Sequence, residues 1–286
     1  MKNLYQIAST YPSLIKHCNI ILCFLIINLL PLNANARQDN LGQIYFFDPD
    51  INYVALIKAT ELLNKYLSQI DNSFNFVPLQ NQHDFEKLLN QDRPGFVIIN
   101  SKLFSTINNL HKITPLLVPS VDNSAFYKKV LVKNTNNILE KSSKLTIAVS
   151  GIPSNINSNT KYVFNLIDTS NFNIQNTIIL PVSKDIDALL ALSFNQVDIA
   201  LVTNQSFEVL LKINPSAVKQ LTVFGTTKPI LRSLLCSVNN YNDIKIVNKL
   251  TDAFLNMQNN DLGKQILALL GFDNFIKFNT SIREGM

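Results

Sequence analysis

Apolar strand-like runs alternate with helix-period segments, and the alternation occurs twice in one register. No other feature constrains the fold as much. Gln43–Phe47 reads as a strand, and a helix follows from about Ile51. Within it Leu56, Ala59, Leu63, Tyr66, Leu67 and Ile70 recur at three- and four-residue steps. Phe74–Val77 and Phe96–Ile99 read as further strands, with a helix over Asp84–Leu89 between them. The second half repeats the order: a strand at Leu145–Val149, a helix at Lys161–Ile167 and a strand at Thr177–Leu180. A helix at Asp185–Phe194, a strand at Val197–Val202 and a helix at Gln205–Ile213 follow. Pro78 and Pro181 each close a strand and lie 103 residues apart. The same offset pairs Ile44 with Ile147, Asp84 with Asp187, Leu89 with Leu192, Ile98 with Leu201 and Phe104 with Phe207. Continuous apolar strands separated by helices imply parallel sheets covered on both faces. The expected fold is therefore α/β, with two similar βαβ lobes joined by a double-crossover hinge.

The remaining apolar segments fit as connections. Leu116–Pro119 and Tyr127–Val132 lie between the lobes; Leu221–Phe224 and Ser233–Val238 lie on the way back. Crossings are expected near residues 120–130 and 223–232. Two helices end the chain, one marked by Ile246, Leu250, Phe254 and Met257, the other by Leu262, Ile266 and Leu269 and stopping at Gly271. If these return to the first lobe, that lobe is 37–126 plus 226–286 and the second is 127–225.

Residues 1–36 read as a signal peptide. Lys2 and Lys16 precede the apolar run Ile20–Leu32, and Ala34-Asn35-Ala36 supplies a small-x-small cleavage pattern. The run is short for a membrane span. The rival reading is an uncleaved anchor. Cleavage after Ala36 places the protein in the periplasm and leaves it weakly basic, with Cys236 as its one cysteine, read as an inert core thiol. Without a Lys/Arg run, nucleic-acid binding has no support.

In parallel sheets ligands bind beyond the carboxyl ends of the strands, against helix N-termini. The residues at those places are short and polar. The first lobe offers Asp48, Asp50 and Asn52, then Gln80 and Asn81, then Asn100, Ser101 and Lys102. The second offers Ser150, Ser154 and Asn155, then Ser183 and Lys184, then Thr203, Asn204 and Gln205. The Ser, Thr, Asn and Asp residues among them are also natural helix caps. As a set facing a cleft, they suit a small polar or anionic solute. There is no G-x-S-x-G elbow, no G-x-x-x-x-G-K-[ST] loop and no C-x-x-C, and no cofactor or metal is expected. The chain does not read as an enzyme.

Three stretches carry a family resemblance. TPLLVPSVDNSAFYKKVLV (Thr114–Val132) resembles the hinge entry of the phosphate/phosphite/phosphonate ABC-transporter binding proteins. SKDIDALLALSFNQVDIALV (Ser183–Val202) resembles their helix followed by an x-V-D-x-A strand, with Asp198 at the acid. LGKQILALLGFDNF (Leu262–Phe275) resembles their closing helix. The resemblance implies a type-2 periplasmic binding fold, a small-molecule ligand and delivery to an ABC permease in the inner membrane, the protein acting as a monomer. It aligns Ser150–Asn155 with the family's phosphonate-cradling stretch and Lys184 with a position that is often histidine. The candidate site is then Asp50, Tyr53, Asn81 and Ser101 in the first lobe, with Ser150, Ser154, Asn155, Ser183 and Lys184 in the second. A periplasmic sensory or interaction protein that uses the same fold to signal to a membrane partner is the alternative.

Overall fold

The structure is a computed structural model that describes residues 42–49, 51, 53–92, 94–139, 144–150, 156–168, 176–238 and 243–284. The signal-peptide segment expected at 1–36 lies outside the described residues. The first half runs β1 (Gln43–Phe47), α1 (Tyr53–Ile70), β2 (Asn75–Pro78), α2 (Gln82–Asp92), β3 (Phe96–Ile99), α3 (Ser101–His111) and β4 (Thr114–Ser120). After the two-residue β5 (Phe126–Tyr127), the second half runs β6 (Lys129–Asn134), β7 (Leu145–Ser150), α4 (Ile156–Leu166), β8 (Thr177–Val182) and α5 (Asp185–Ser193). It continues with β9 (Ile199–Thr203), α6 (Asn204–Ile213), α7 (Pro215–Val218) and β10 (Leu221–Thr226). The chain returns through β11 (Ile230–Leu231) and β12 (Leu234–Ser237). It ends with α8 (Ile244–Leu255), α9 (Asp261–Leu270), β13 (Asn274–Lys277) and α10 (Thr280–Glu284).

These strands make two separate sheets. One has the order β13-β4-β12-β3-β1-β2 and the other β10-β6-β9-β7-β8. At one end of each sheet, three strands run parallel: β1 between β2 and β3, β7 between β8 and β9. Next to each parallel set lies an antiparallel strand, β12 against β3 and β6 against β9. The segments read from sequence as connections are therefore strands of the sheets themselves. Runs such as Val130-Leu131-Val132 are too apolar for an exposed linker, and they gain burial by joining a sheet. The crossing shrinks to the ribbon β5–β11, in which Tyr127 pairs with Ile230 and Phe126 with Leu231. Buried Thr227 fastens it to the second lobe: its Oγ1 accepts from the Lys129 amide at 3.0 Å, and its own amide donates to the Lys129 carbonyl at 2.9 Å. The edge strand β13 carried no strand signal, because only Phe275 of its four residues is buried.

The helical periodicity of α1 points Leu56, Ala59, Leu63, Tyr66 and Leu67 into the first lobe's core. That core also takes Val247, Leu250 and Phe254 of α8 and Ile266 and Leu267 of α9, so the C-terminal helices return to the first lobe. The Tyr66 hydroxyl donates to the Ala253 carbonyl at 2.7 Å and locks α8 onto α1. Gly263 permits a close turn, because a Cβ there would lie 2.0 Å from the Met257 carbonyl oxygen. Gly271 ends α9 at φ 73°, as its place after Leu270 predicted. Cys236 is a fully buried core thiol, and burial pushes its pKa well up.

The repeat persists in the capping. Asn100 Oδ1 accepts from Leu103 N and caps α3; 103 residues later Thr203 Oγ1 accepts from Ser206 N and caps α6. Asn81 and Lys184 precede α2 and α5 at the same offset, but only Asn81 caps with its side chain, its Oδ1 accepting from Asp84 N. The acid three residues on, Asp84 or Asp187, reaches back to each of them.

Candidate ligand-binding cleft

The caps matter because they fix where each sheet turns into helix. β3 ends at Ile99, just before the Asn100 cap, and β7 ends at Ser150; a narrow crevice opens where these ends meet. Asn100, Ser101 and Lys102 wall it from the first lobe; Val149, Ser150, Tyr162 and Leu201 wall it from the second. Tyr127, Lys129 and Ile230 form its hinge side. Lys102 reaches across the lobes, its ammonium 4.6 Å from the centre of the Tyr162 ring. Burial in this position lowers the Lys102 pKa. With Lys102 lying on Tyr162, the cavity is about 10 Å³, close to the space one water needs.

Behind Ser150 lies a buried polar network. Lys129 Nζ donates to Ser150 Oγ at 3.0 Å and faces Asp185 Oδ1 at 3.3 Å. Ser150 Oγ donates to Asp185 Oδ1 at 2.5 Å, and Asp185 Oδ2 accepts from the Thr203 amide at 2.6 Å. Lys129 and Asp185 are both almost wholly buried. Such a pair is retained only when further hydrogen bonds satisfy each partner, and Ser150 and the Thr203 amide do so. The network ties β6, β7, α5 and β9 together at their cleft ends. It also compensates the Lys129 charge internally, which leaves Lys102, among the described residues, as the cation that borders the crevice from the first lobe.

A second crevice, of about 70 Å³, opens beyond Tyr127. Asp48, Ile51, Arg232 and Ser233 line it with Thr203 and Gln205 of the second lobe and the turn Leu270–Phe272. Ser233 Oγ donates to Asp48 Oδ2 in a short hydrogen bond. The Arg232 guanidinium lies 5.5 Å from the centre of the Tyr127 ring.

Of the residues expected from sequence, Ser101 and Ser150 line the first crevice. Tyr53 is the first residue of α1. Asp50, Ser154 and Asn155 lie outside the described residues. Asn81, Ser183 and Lys184 are exposed at the starts of α2 and α5 and line neither crevice. Asp198, matched to the family acid, holds sheet register: its carboxylate accepts from the Thr146 amide at 2.8 Å. Sequence reasoning passed over Lys129, Asp185, Tyr162 and Arg232. A signal existed for Lys129, which opens an apolar run. Among the described residues no group of three His, Cys, Asp or Glu side chains could hold a metal ion, and no helix is long and apolar enough to cross a membrane.

The family model of the periplasmic substrate-binding protein of phosphonate ABC transporters matches residues 45–281, across both sheets and the hinge ribbon. The chain belongs to that family. It is the solute-binding component of an ABC uptake system, and it has the family's type-2 periplasmic binding fold. Solved structures agree on the fold. PhnD1 of Prochlorococcus marinus, in complex with methylphosphonate, superposes with a TM-score of 0.67 at 18% identity over 85% of this chain and 96% of that one. A binding-protein component of an ABC phosphonate transporter from Pseudomonas aeruginosa gives 0.64 at 17% identity, covering 84% of this chain and 82% of its own. A Xanthomonas citri protein bound to chloride gives 0.66 at 11% identity, covering 86% and 94%. No curated protein matches the phosphonate-family chain in sequence.

Proposed function

We propose that this chain captures a phosphonate by its oxyanion head in the crevice between Ser101 and Lys102 of one lobe and Ser150 and Tyr162 of the other. The observation that carries the reading is the placement of Lys102. It is a half-buried ammonium at the first turn of α3, aimed across the cleft at the second lobe. A helix N-terminus and an ammonium together favour an anion. The segments around 50–53 and 151–155, with Tyr53, Asp50, Ser154 and Asn155, complete this site on the same reading. Asn81, Ser183 and Lys184 stand at its periphery as helix-opening residues.

Binding follows hinge closure. The lobes, 37–126 with 226–286 and 127–225, rotate about the β5–β11 ribbon. An incoming oxyanion lifts Lys102 from Tyr162 and takes its charge. The protein is exported by cleavage after Ala36, works as a monomer, hands its ligand to an ABC permease, binds no nucleic acid and performs no chemistry on the ligand.

Calorimetry on ligand-stripped protein with methylphosphonate, phosphate and sulfate tests the reading. Lys102→Ala is expected to weaken methylphosphonate binding by roughly ten-fold or more, the scale of one charge-assisted hydrogen bond. Lys184→Ala is expected to weaken it less, and Lys219→Ala not at all. Failure of all three anions to bind, with a neutral or cationic solute binding instead, refutes it.

A further inference from the structure

We propose that the second crevice receives an α-amino-acid end carried by the phosphonate, with Arg232 taking its carboxylate and Asp48 its ammonium. This deepens the oxyanion reading and rests on it. Tyr127 is the shared wall: it lines both crevices, so a ligand whose head lies beside Lys102 extends past one ring into the space before Arg232.

Arg232, on the wall of this crevice, has hydrogen-bonding capacity to spare. Its Nε is buried and has no hydrogen-bond partner among the described residues. A buried N–H without an acceptor costs stability that a bound acceptor restores. The guanidinium is held in place by the Tyr127 ring, and its planar fork matches a carboxylate in two parallel hydrogen bonds. Burial pulls its pKa down, while Tyr127, Asp48, Asp273 and Asp122 push it back up, so it stays a cation.

Charge decides the class of ligand. The wall carries Arg232 and Asp48 together. A bare carboxylate would meet Arg232 but be repelled by Asp48; a bare ammonium would meet Asp48 but be repelled by Arg232. A zwitterion satisfies both. Asp48 accepts from Ser233, and a carboxylate offers about four acceptor sites, so the Ser233 bond does not by itself exclude an ammonium. Thr203 and Gln205 supply polar contacts on the second-lobe side, so filling the crevice also draws the lobes together. At about 70 Å³ it is the roomier of the two.

The test is a calorimetric series with methylphosphonate, phosphonoacetate, 2-aminoethylphosphonate and 2-amino-3-phosphonopropionate, alongside L-glutamate. The amino-acid phosphonate is expected to bind roughly 30-fold or more tighter than methylphosphonate, the scale of two charge-assisted contacts. Arg232→Met should collapse that ratio toward 1. Wild-type selectivity needs no variant, so the result does not depend on the substituted protein folding. Phosphonates that bind without preferring the amino-acid end overturn the inference and leave the oxyanion reading standing. If no phosphonate binds, the oxyanion reading falls and L-glutamate decides. Glutamate binding that Arg232→Met abolishes supports the crevice, and no glutamate binding overturns it.

Discussion

The two lobes share a backbone plan and differ in what fills it. At the 103-residue offset, first-lobe aromatics face smaller residues in the second: Tyr45 against Ala148, Phe46 against Val149, Phe85 against Ala188, Phe96 against Ile199. The first core is built on ring contacts such as Phe46–Phe76, Phe47–Phe85 and Phe254–Phe275; the second is almost wholly aliphatic. The difference is sharpest at the cleft. Phe47 packs on Phe85, while its counterpart Ser150 joins Lys129 and Asp185. Ser233, which precedes β12, stands where Lys129 opens β6, and ties to Asp48 with one neutral donor instead of an ammonium. One plan thus gives a lobe held by rings up to its cleft edge and a lobe whose cleft edge is held by buried charge.

The comparison breaks most readily at Asp185. Asp185→Ala leaves Lys129 buried without its counter-charge and is expected to cost about 3–5 kcal/mol. Ser233→Ala in the first lobe removes one hydrogen bond and is expected to cost about 1–2 kcal/mol. Urea unfolding of both variants measures the gap, and equal losses would remove the asymmetry. The double variant Lys129→Met with Asp185→Ala should recover part of the single-variant loss, because no lone charge then remains.

Phe85 tests the other half of the comparison. It is fully buried and touches Phe47, so Phe85→Ala is expected to cost about 3–5 kcal/mol. Ala188→Phe places the same ring in the second lobe, where Ala188 is also fully buried, and should cost about 1–3 kcal/mol by overpacking. A stabilised Ala188→Phe variant would mean that the second core has room to spare.

These contrasts also mark what sequence conveys. The alternation of strand and helix along each half, the repeat, the end helices and Gly271 are legible because periodicity and turn chemistry are local. The hinge was over-read, since Val130–Val132 and Leu234–Cys236 look alike whether they cross between lobes or pair within them. Pairing partners are set at long range: β6 finds β9 some seventy residues on. At the site, Ser101 and Ser150 were visible as polar residues after apolar strands. Lys129, Asp185 and Arg232 were not, because their roles come from partners far away in the chain.

Where the lobes agree, equal substitutions should give equal effects. Asn100→Ala and Thr203→Ala each remove one N-cap bond, and each is expected to cost about 1 kcal/mol. Thermal unfolding of the two variants should shift to a similar degree. A clearly larger loss for Thr203→Ala would show that its cap also supports the Asp185 network, whose Oδ2 takes the Thr203 amide.

The smallest effect belongs to the first lobe alone. Asp71, after α1, pairs with Lys249 of α8 at 2.8 Å, a link that fastens the returning helix and has no counterpart among the ion pairs of the second lobe's described residues. The Lys249 hydrogen bond, helped by Ser73, holds the Asp71 carboxyl below its usual range. A carboxyl whose folded pKa is depressed contributes stability above its unfolded pKa, near 4, and that contribution fades as pH falls through the folded value. Lys249→Ala should therefore leave a shallower loss of stability below about pH 4 and little change at pH 7. Both partners are partly exposed, so salt screens the pair and the difference should shrink further at high ionic strength. Urea midpoints of the two proteins from pH 7 down to pH 3, at low and high salt, measure it. An acid limb identical in wild type and variant would mean that α8 is held by its apolar face, Val247, Leu250 and Phe254, without help from the charge.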